Sequence, residues 1–206
     1  MNKLTIAAGA VALATAGLGI AQTSTADAGG GRLNFGLQRS PGIVAAGCLP
    51  NAAARVTVKH DGAVERMSIT AWGLPANTEF DTFVIQVPNA PFGVSWYQGD
   101  LETNGYGVAH QEYVGRFQQE TFAIAPNTAP APSVHSSPTP DATSNPPFGP
   151  IHTFHVGVWF NSPADATKAG CPGATTPFNG EHNAGVQVLN TAQFPATAGP
   201  LGTFKP

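Results

Sequence analysis

The sequence predicts an all-β fold, an antiparallel β-sandwich of about seven or eight strands. Short segments in which apolar and polar residues alternate recur along the chain, and such alternation is typical of half-buried strands. Glycine (24) and proline (19) account for 43 of the 206 residues, and they separate these segments as turn residues do. No stretch after the first 28 residues shows sustained helical periodicity, and only 10% of residues are charged, so a helical bundle is excluded.

The candidate strands follow one another with turn signals between them. Asp61-Gly62 separates two alternating segments, which predicts a tight hairpin, and Asn104-Gly105 predicts a second one. A single helical turn is expected near Ala164–Ala169. The predicted strands are Arg55–His60, Ala63–Trp72, Phe80–Val87, Val94–Leu101, Tyr106–Phe117, Thr121–Ala125, His152–Phe160 and Gly185–Leu189, and Leu33–Leu37 is a candidate for a further short leading strand.

The first 28 residues resemble a secretory signal peptide. A short basic start precedes the uncharged, Ala- and Gly-rich stretch Leu4–Ala21, and Ala26-Asp27-Ala28 places small residues where signal peptidases cleave. A membrane anchor is the alternative, but about 18 residues is at the lower limit for spanning a bilayer. We therefore expect a secreted protein with no membrane segment after cleavage and one domain over residues 29–206.

The segment Pro126–Pro150 differs from its surroundings. It contains eight prolines in 25 residues, with many serines and threonines, and cannot form a strand ladder. The residues after it offer too few strands for a second core. We expect a long surface loop within one domain.

Cys48 and Cys171 are the two cysteines of the chain. In an oxidising compartment an even count indicates a disulfide. Neither residue lies in a motif that would support a catalytic thiol, and a zinc site would need more thiolates or clustered histidines. We expect a Cys48–Cys171 disulfide.

The charges and motifs exclude several functions. Nine Lys and Arg residues, scattered along the chain, do not form the basic face that a nucleic-acid-binding protein needs. No nucleophile elbow, phosphate-binding loop or dinucleotide fingerprint is present, so the sequence predicts no catalytic residue and no cofactor.

Two weaker patterns leave alternatives open. Glu79 with Asp81, and Asp100 with Glu102, each lie two residues apart and share a strand face, and paired carboxylates are the acid and base of glycosidases. A secreted hydrolase of polysaccharide or peptide would therefore use acids such as Asp100, Glu102 or Glu181. A metal-binding protein would use His155 and His182, although no local ligand spacing supports a metal site.

Aromatic side chains are the better candidates for a binding surface. Trp96 and Tyr97 are adjacent, so a regular strand points them to opposite faces and one of the two is the better candidate for an exposed contact. Most aromatic residues of a sandwich are expected in its core. The candidate binding residues are Trp96, Tyr97, Trp159 and His182.

Five segments of the chain carry a resemblance to known proteins: Val87–Gly93, Ser95–Asp100, Val114–Phe117, Phe160–Asp165 and Phe178–Gly185. Over about residues 48–195 the chain resembles an uncharacterised group of secreted proteins from high-GC Gram-positive bacteria, which implies secretion but no activity. Leu74-Pro75-Ala76-Asn77-Thr78 is also similar to a turn common in immunoglobulin-like extracellular sandwiches, which implies an immunoglobulin-like architecture.

Because no catalytic constellation is evident, the sequence favours a non-enzymatic extracellular module. Its expected partner is a protein, a cell-wall polymer or a carbohydrate.

Overall fold

Antiparallel strands form almost all of the described structure. The computed structural model describes residues 25–27, 31–117, 152–171, 173–178 and 182–204. Its strands are β1 (Thr25–Asp27), β2 (Arg32–Arg39), β3 (Ala53–Asp61), β4 (Val64–Trp72), β5 (Glu79–Ile85), β6 (Ser95–Glu102), β7 (Ala109–Gly115), β8 (His155–Phe160), β9 (Thr176–Pro177), β10 (Asn183–Ala184) and β11 (Gln187–Asn190).

Some predictions fall on other parts of the chain. The predicted strand Thr121–Ala125 and the predicted loop Pro126–Pro150 lie outside the described residues. Of the predicted leader 1–28, only residues 25–27 are described, as strand β1 paired with β2.

One continuous sheet folds over a common core. The strand order is β6-β5-β8-β11-β2-β3-β4-β7, every pair is antiparallel, and β1 adds to β2. The two ends of this order approach each other, because Thr103 beyond β6 forms a β-bridge with Ala109 of β7. The sheet is therefore nearly closed, and the predicted all-β, sandwich-like fold of seven or eight main strands is confirmed.

The core lies between the two halves of this folded sheet. On β4 the side chains of Met67, Ile69 and Ala71 are buried at every second position, as a half-buried strand requires. On the neighbouring strands β5 and β8, the paired residues Phe80 and Phe160 are also buried, with their rings 5.0 Å apart. Because alternate residues of β5 point into this core, the residues between them form an outer face.

The turn between β3 and β4 lies one residue later than the sequence predicted. Asp61 pairs with Val64, so the two turn residues are Gly62 and Ala63 rather than Asp61 and Gly62. Gly62 has a φ of 64° and Ala63 does not have a positive φ. One glycine at the first turn position suffices for this hairpin.

The loop between β6 and β7 also differs from the predicted two-residue turn. The Asn104 N–H donates to the Val108 carbonyl at 2.9 Å, which closes a five-residue loop, and β7 pairs along its length with β4. Gly107 has a φ of 70°, and a Cβ there would lie 2.0 Å from the Leu74 carbonyl oxygen. The close approach of these two loops therefore requires glycine.

Two short helices flank the disulfide. Ser40 caps α1 (Pro41–Ala46), and Ser162 caps α2 (Pro163–Lys168) where the sequence predicted a helical turn. Cys48 and Cys171 follow these helices and form a disulfide with Cα atoms 5.6 Å apart, which confirms the predicted pairing. A 3₁₀ helix spans Pro200–Thr203. Within the described ranges, no helix has the length and apolar character needed to cross a membrane.

Candidate functional site

Four carboxylates face one another on the outer side of the β5–β6 ladder. Glu79 lies opposite Glu102, and Asp81 lies opposite Asp100. Directly opposed residues of an antiparallel pair project to the same face, and like charges in such pairs destabilise a sheet. The ladder therefore concentrates negative charge at one place on the outer face of β5 and β6.

A β-bulge brings Tyr97 to the same place. Thr82 pairs with Gly99 but Phe83 pairs with Tyr97, so Gln98 is an extra residue in β6. In a regular strand Tyr97 and Asp100, three residues apart, would point to opposite faces. The bulge puts them on one face, where the Tyr97 hydroxyl donates a hydrogen bond to Asp100 Oδ1.

These side chains line an open pocket with a volume of about 510 Å³. One wall comes from β5 and β6, and another comes from Phe178 and His182, which flank the β9–β10 pair. The described residues that line it are Glu79, Asp81, Phe83, Ser95, Tyr97, Asp100, Asn161, Phe178 and His182.

Tilted and edge-on rings form the apolar part of this pocket. Phe83 packs against Tyr97 and Phe178 with ring centroids 5.6 and 5.3 Å apart. Tyr97 and Phe178 lie 5.0 Å from each other, and Phe178 lies 4.7 Å from the His182 ring. Below them, Trp159 packs edge-on against Phe83 at 5.2 Å. Edge-on pairs of this kind hold the rings in defined orientations.

Asp81 lies at the bottom of the pocket. Its side chain is only 1% exposed, and neither carboxylate oxygen has a hydrogen-bond partner among the described residues. The pKa of Asp81 is raised to about 6, mainly by burial; the charge of His182 opposes this rise, and the charges of Asp100 and Glu79 add to it. A buried carboxylate without a partner is costly, and such groups are concentrated at functional sites.

The neighbouring groups respond to the same environment. The pKa of Glu79 is raised by partial burial and then by the charges of Asp100, Glu102 and Asp165. The pKa of Tyr97 is raised by burial and by its hydrogen bond to Asp100, so this hydroxyl remains a donor at physiological pH.

The candidate binding residues from the sequence divide between different places. Tyr97 and His182 line the pocket. Trp159 is only 2% exposed and supports the pocket from beneath. Trp96 lines a second cavity of about 180 Å³, which Arg116 and Tyr97 also line, and does not line the larger pocket. Of the adjacent pair Trp96 and Tyr97, the structure therefore joins Tyr97 to the carboxylates.

The sequence also suggested residues for a metal site and for a hydrolase, and neither set comes together as a whole. The ring nitrogens of His155 contact the Thr191 hydroxyl at 2.8 Å and the Pro195 carbonyl at 3.2 Å, so His155 does not join His182. Among the described residues no three His, Cys, Asp or Glu side chains are arranged to hold a metal ion. Of the proposed hydrolase acids, Asp100 lines the pocket, Glu102 pairs with Glu79 beside it, and Glu181 lies outside the described residues.

Sequence reasoning did not identify Phe83, Asn161 or Phe178 as site residues. It noted the acid pairs on β5 and β6, but not that the strands place them opposite each other. The one local signal is Gly99, because a glycine inside a strand often marks a β-bulge. A bulge at this position would have indicated that Tyr97 and Asp100 share a face. The contribution of Phe178 depends on long-range packing and has no local signal.

No protein-family model, no curated protein and no solved structure matches this chain.

Proposed function

We propose that this chain is a secreted, non-enzymatic binding module that holds a carbohydrate unit, free or in a cell-wall polymer, in the pocket between β6 and the β9–β10 pair. The observation that carries the proposal is the combination of aromatic rings and carboxylates around one open pocket. Tyr97 and Phe178 supply the rings, and Asp100 and Glu79 supply the carboxylates.

This combination suits the surface of a sugar ring. A sugar presents C–H groups on its faces, which pack against aromatic rings, and hydroxyl groups at its edge, which donate to carboxylates. Binding pockets usually combine apolar walls with a few fixed polar groups in volumes of 300–1,000 Å³. The pocket volume of about 510 Å³ lies in this range.

The mobility of the polar groups is restricted before any ligand arrives. The Tyr97 hydroxyl holds Asp100, and the Tyr97 ring is itself packed between Phe83 and Phe178. A preorganised site loses less conformational entropy on binding. The arrangement therefore favours recognition of a ligand with a defined shape.

A hydrolase is the second candidate, because Asp81, with a pKa of about 6, lies opposite Asp100. A glycosidase needs one protonated and one ionised carboxyl group at the scissile bond. However, both carboxylate oxygens of Asp81 are buried. A general acid must contact the leaving group, and the buried oxygens of Asp81 are poorly placed for such a contact in this conformation. This burial favours binding over catalysis.

Secretion is part of the same proposal. The leader-like residues 1–28 and the resemblance to secreted Gram-positive proteins support it. The Cys48–Cys171 disulfide is compatible with an extracellular location.

The test is a glycan and cell-wall-polymer array probed with the purified protein. Wild type and Trp96→Ala should retain the same glycans, whereas Tyr97→Ala should lose them. The two aromatic residues are equally exposed, at 42% and 43%, and Trp96 does not line the pocket. Retention of no glycan by the wild type, or equal loss in both variants, would contradict the proposal. Cleavage of array glycans would favour the hydrolase.

A further inference from the structure

We infer that the sugar unit bound in this pocket carries a protonated amine, as in a polymer of glucosamine. The inference rests on the proposed function and adds the chemical class of the ligand. It depends on the charge of the pocket, on the buried carboxylate of Asp81 and on the aromatic wall.

The negative charge of the pocket favours a cationic ligand. Three carboxylates, Glu79, Asp81 and Asp100, line the pocket, and none of its described lining residues is lysine or arginine. Glu102 adds a fourth carboxylate opposite Glu79. Neutral sugars need hydrogen-bond acceptors but not three negative charges in one pocket. A cation inserted here would offset the repulsion across the ladder.

The buried carboxylate of Asp81 also favours a cationic ligand. It is buried at the bottom of the pocket, and within the described structure its two oxygens lack hydrogen-bond partners. Its charge is poorly screened there, so it acts through space on whatever occupies the pocket. A cation held by Asp100 and Glu79 would be stabilised by Asp81 without direct contact.

The described residues of the pocket do not suit a bare metal ion as this cation. The described part of the chain contains no group of three His, Cys, Asp or Glu side chains that could hold one. A cavity of about 510 Å³ is also much larger than a metal ion. The cation that fits is therefore part of an organic ligand.

The aromatic rings of the pocket favour an amine that is part of a sugar. The rings of Tyr97 and Phe178 lie 5.0 Å apart beside the carboxylates. Aromatic faces attract organic cations and also pack against the C–H face of a sugar ring. A glucosamine unit offers both features within one ring.

The experiment compares three probes by calorimetry at about pH 6, below the pKa of an amine that has electron-withdrawing neighbours. They are the β-1,4-linked glucosamine trimer, its N-acetylated counterpart, and dilysine amide, which is a multiply charged amine without a sugar. We expect the glucosamine trimer to bind at least tenfold more tightly than each of the others. A charge-assisted hydrogen bond is enough for such a preference.

The variants locate the effect. Asp100→Asn should reduce the preference for the free amine at least fivefold, because it removes a charge from the pocket wall, and its loss of affinity for the acetylated trimer should be smaller. Glu112→Gln removes one acid at an exposed position on β7 that pairs with Arg66 at 2.8 Å, so it is the matched control and should keep the preference. Thermal melting of each variant verifies that it is folded.

The outcomes are distinguishable. Equal binding of the two trimers overturns the amine inference but leaves the proposed carbohydrate function intact. Tighter binding of dilysine amide overturns the sugar part of the inference, because the site would then suit a basic peptide. Failure of every sugar, both here and on the array, contradicts the proposed function itself.

Discussion

Asp81 and Asp100 lie directly opposite each other on β5 and β6, yet one is buried without a hydrogen-bond partner among the described residues and the other accepts a hydrogen bond from Tyr97. The pair thus combines a buried carboxylate at the bottom of the pocket with a hydrogen-bonded one in its wall.

This relationship predicts that Asp81→Asn stabilises the protein at neutral pH. Folding raises the pKa of Asp81 from 3.8 to about 6, so the folded state favours the protonated form. Its contribution is fully present below about pH 4 and is lost as the pH rises through about 6. At pH 7.5 the variant should gain up to roughly 3 kcal/mol in the free energy of unfolding, and at pH 4 almost nothing.

Urea denaturation at the two pH values measures this difference. Glu112→Gln, at an exposed position, should show no comparable gain at pH 7.5. An Asp81→Asn variant that is less stable than wild type at pH 7.5 would show that Asp81 has a stabilising partner in the folded protein.

Tyr113→Phe should destabilise the protein. The buried Tyr113 hydroxyl contacts Thr82 Oγ1 at 2.9 Å and the Asp100 carbonyl at 3.0 Å, so it links β7 to β5 and β6 where the sheet nearly closes. Loss of a buried hydroxyl that leaves partners unsatisfied costs about 1–3 kcal/mol. Tyr106→Phe is the control, since Tyr106 is 92% exposed. Equal melting temperatures of the two variants would disprove the role of Tyr113.

Gly99→Ala should weaken both the fold and the pocket. Gly99 has a φ of 143°, and a Cβ there would lie 3.1 Å from Tyr113 Cε1. Strain of this kind costs about 1–3 kcal/mol, and relief by moving the bulge would separate Tyr97 from Asp100. Gly105→Ala is the matched control, because a Cβ there meets no atom within 4 Å. Unchanged stability and glycan binding in Gly99→Ala would mean that the bulge is not required.

The bulge also marks the limit of what the sequence predicts here. Alternation along Arg55–His60 and Ala63–Trp72 correctly predicts β3 and β4, because each strand buries one face and the period of two survives. In β6 the extra residue Gln98 breaks that period. A prediction that assumes a regular strand therefore puts Tyr97 and Asp100 on opposite faces.

Long-range pairing is the second limit. The sequence shows acids at alternate positions of β5 and β6, but only the register places Asp81 opposite Asp100 and beside Trp159 of β8. Helix α1 was not predicted, since Pro41-Gly42 is typical of a turn and the helix depends on the Ser40 cap and on the burial of Ile43. The disulfide was predictable because two cysteines allow a single intramolecular pairing.

Removal of the disulfide should destabilise the protein more than the other substitutions. Cys48 and Cys171 are 123 residues apart, and the chain-entropy model gives about 4–5 kcal/mol for such a loop. The double variant Cys48→Ser/Cys171→Ser should melt at a much lower temperature than wild type, and a reductant should affect the wild type alone. A reductant that leaves the melting temperature of the wild type unchanged would contradict this prediction.

The most direct test of the binding site is a nuclear magnetic resonance titration of the isotope-labelled protein with the glucosamine trimer. We expect the largest changes in chemical shift at Tyr97, Asp100, Phe178 and His182, and little change at Trp96 or Arg116. Shift changes centred on Trp96, or none at saturating trimer, would contradict this expectation.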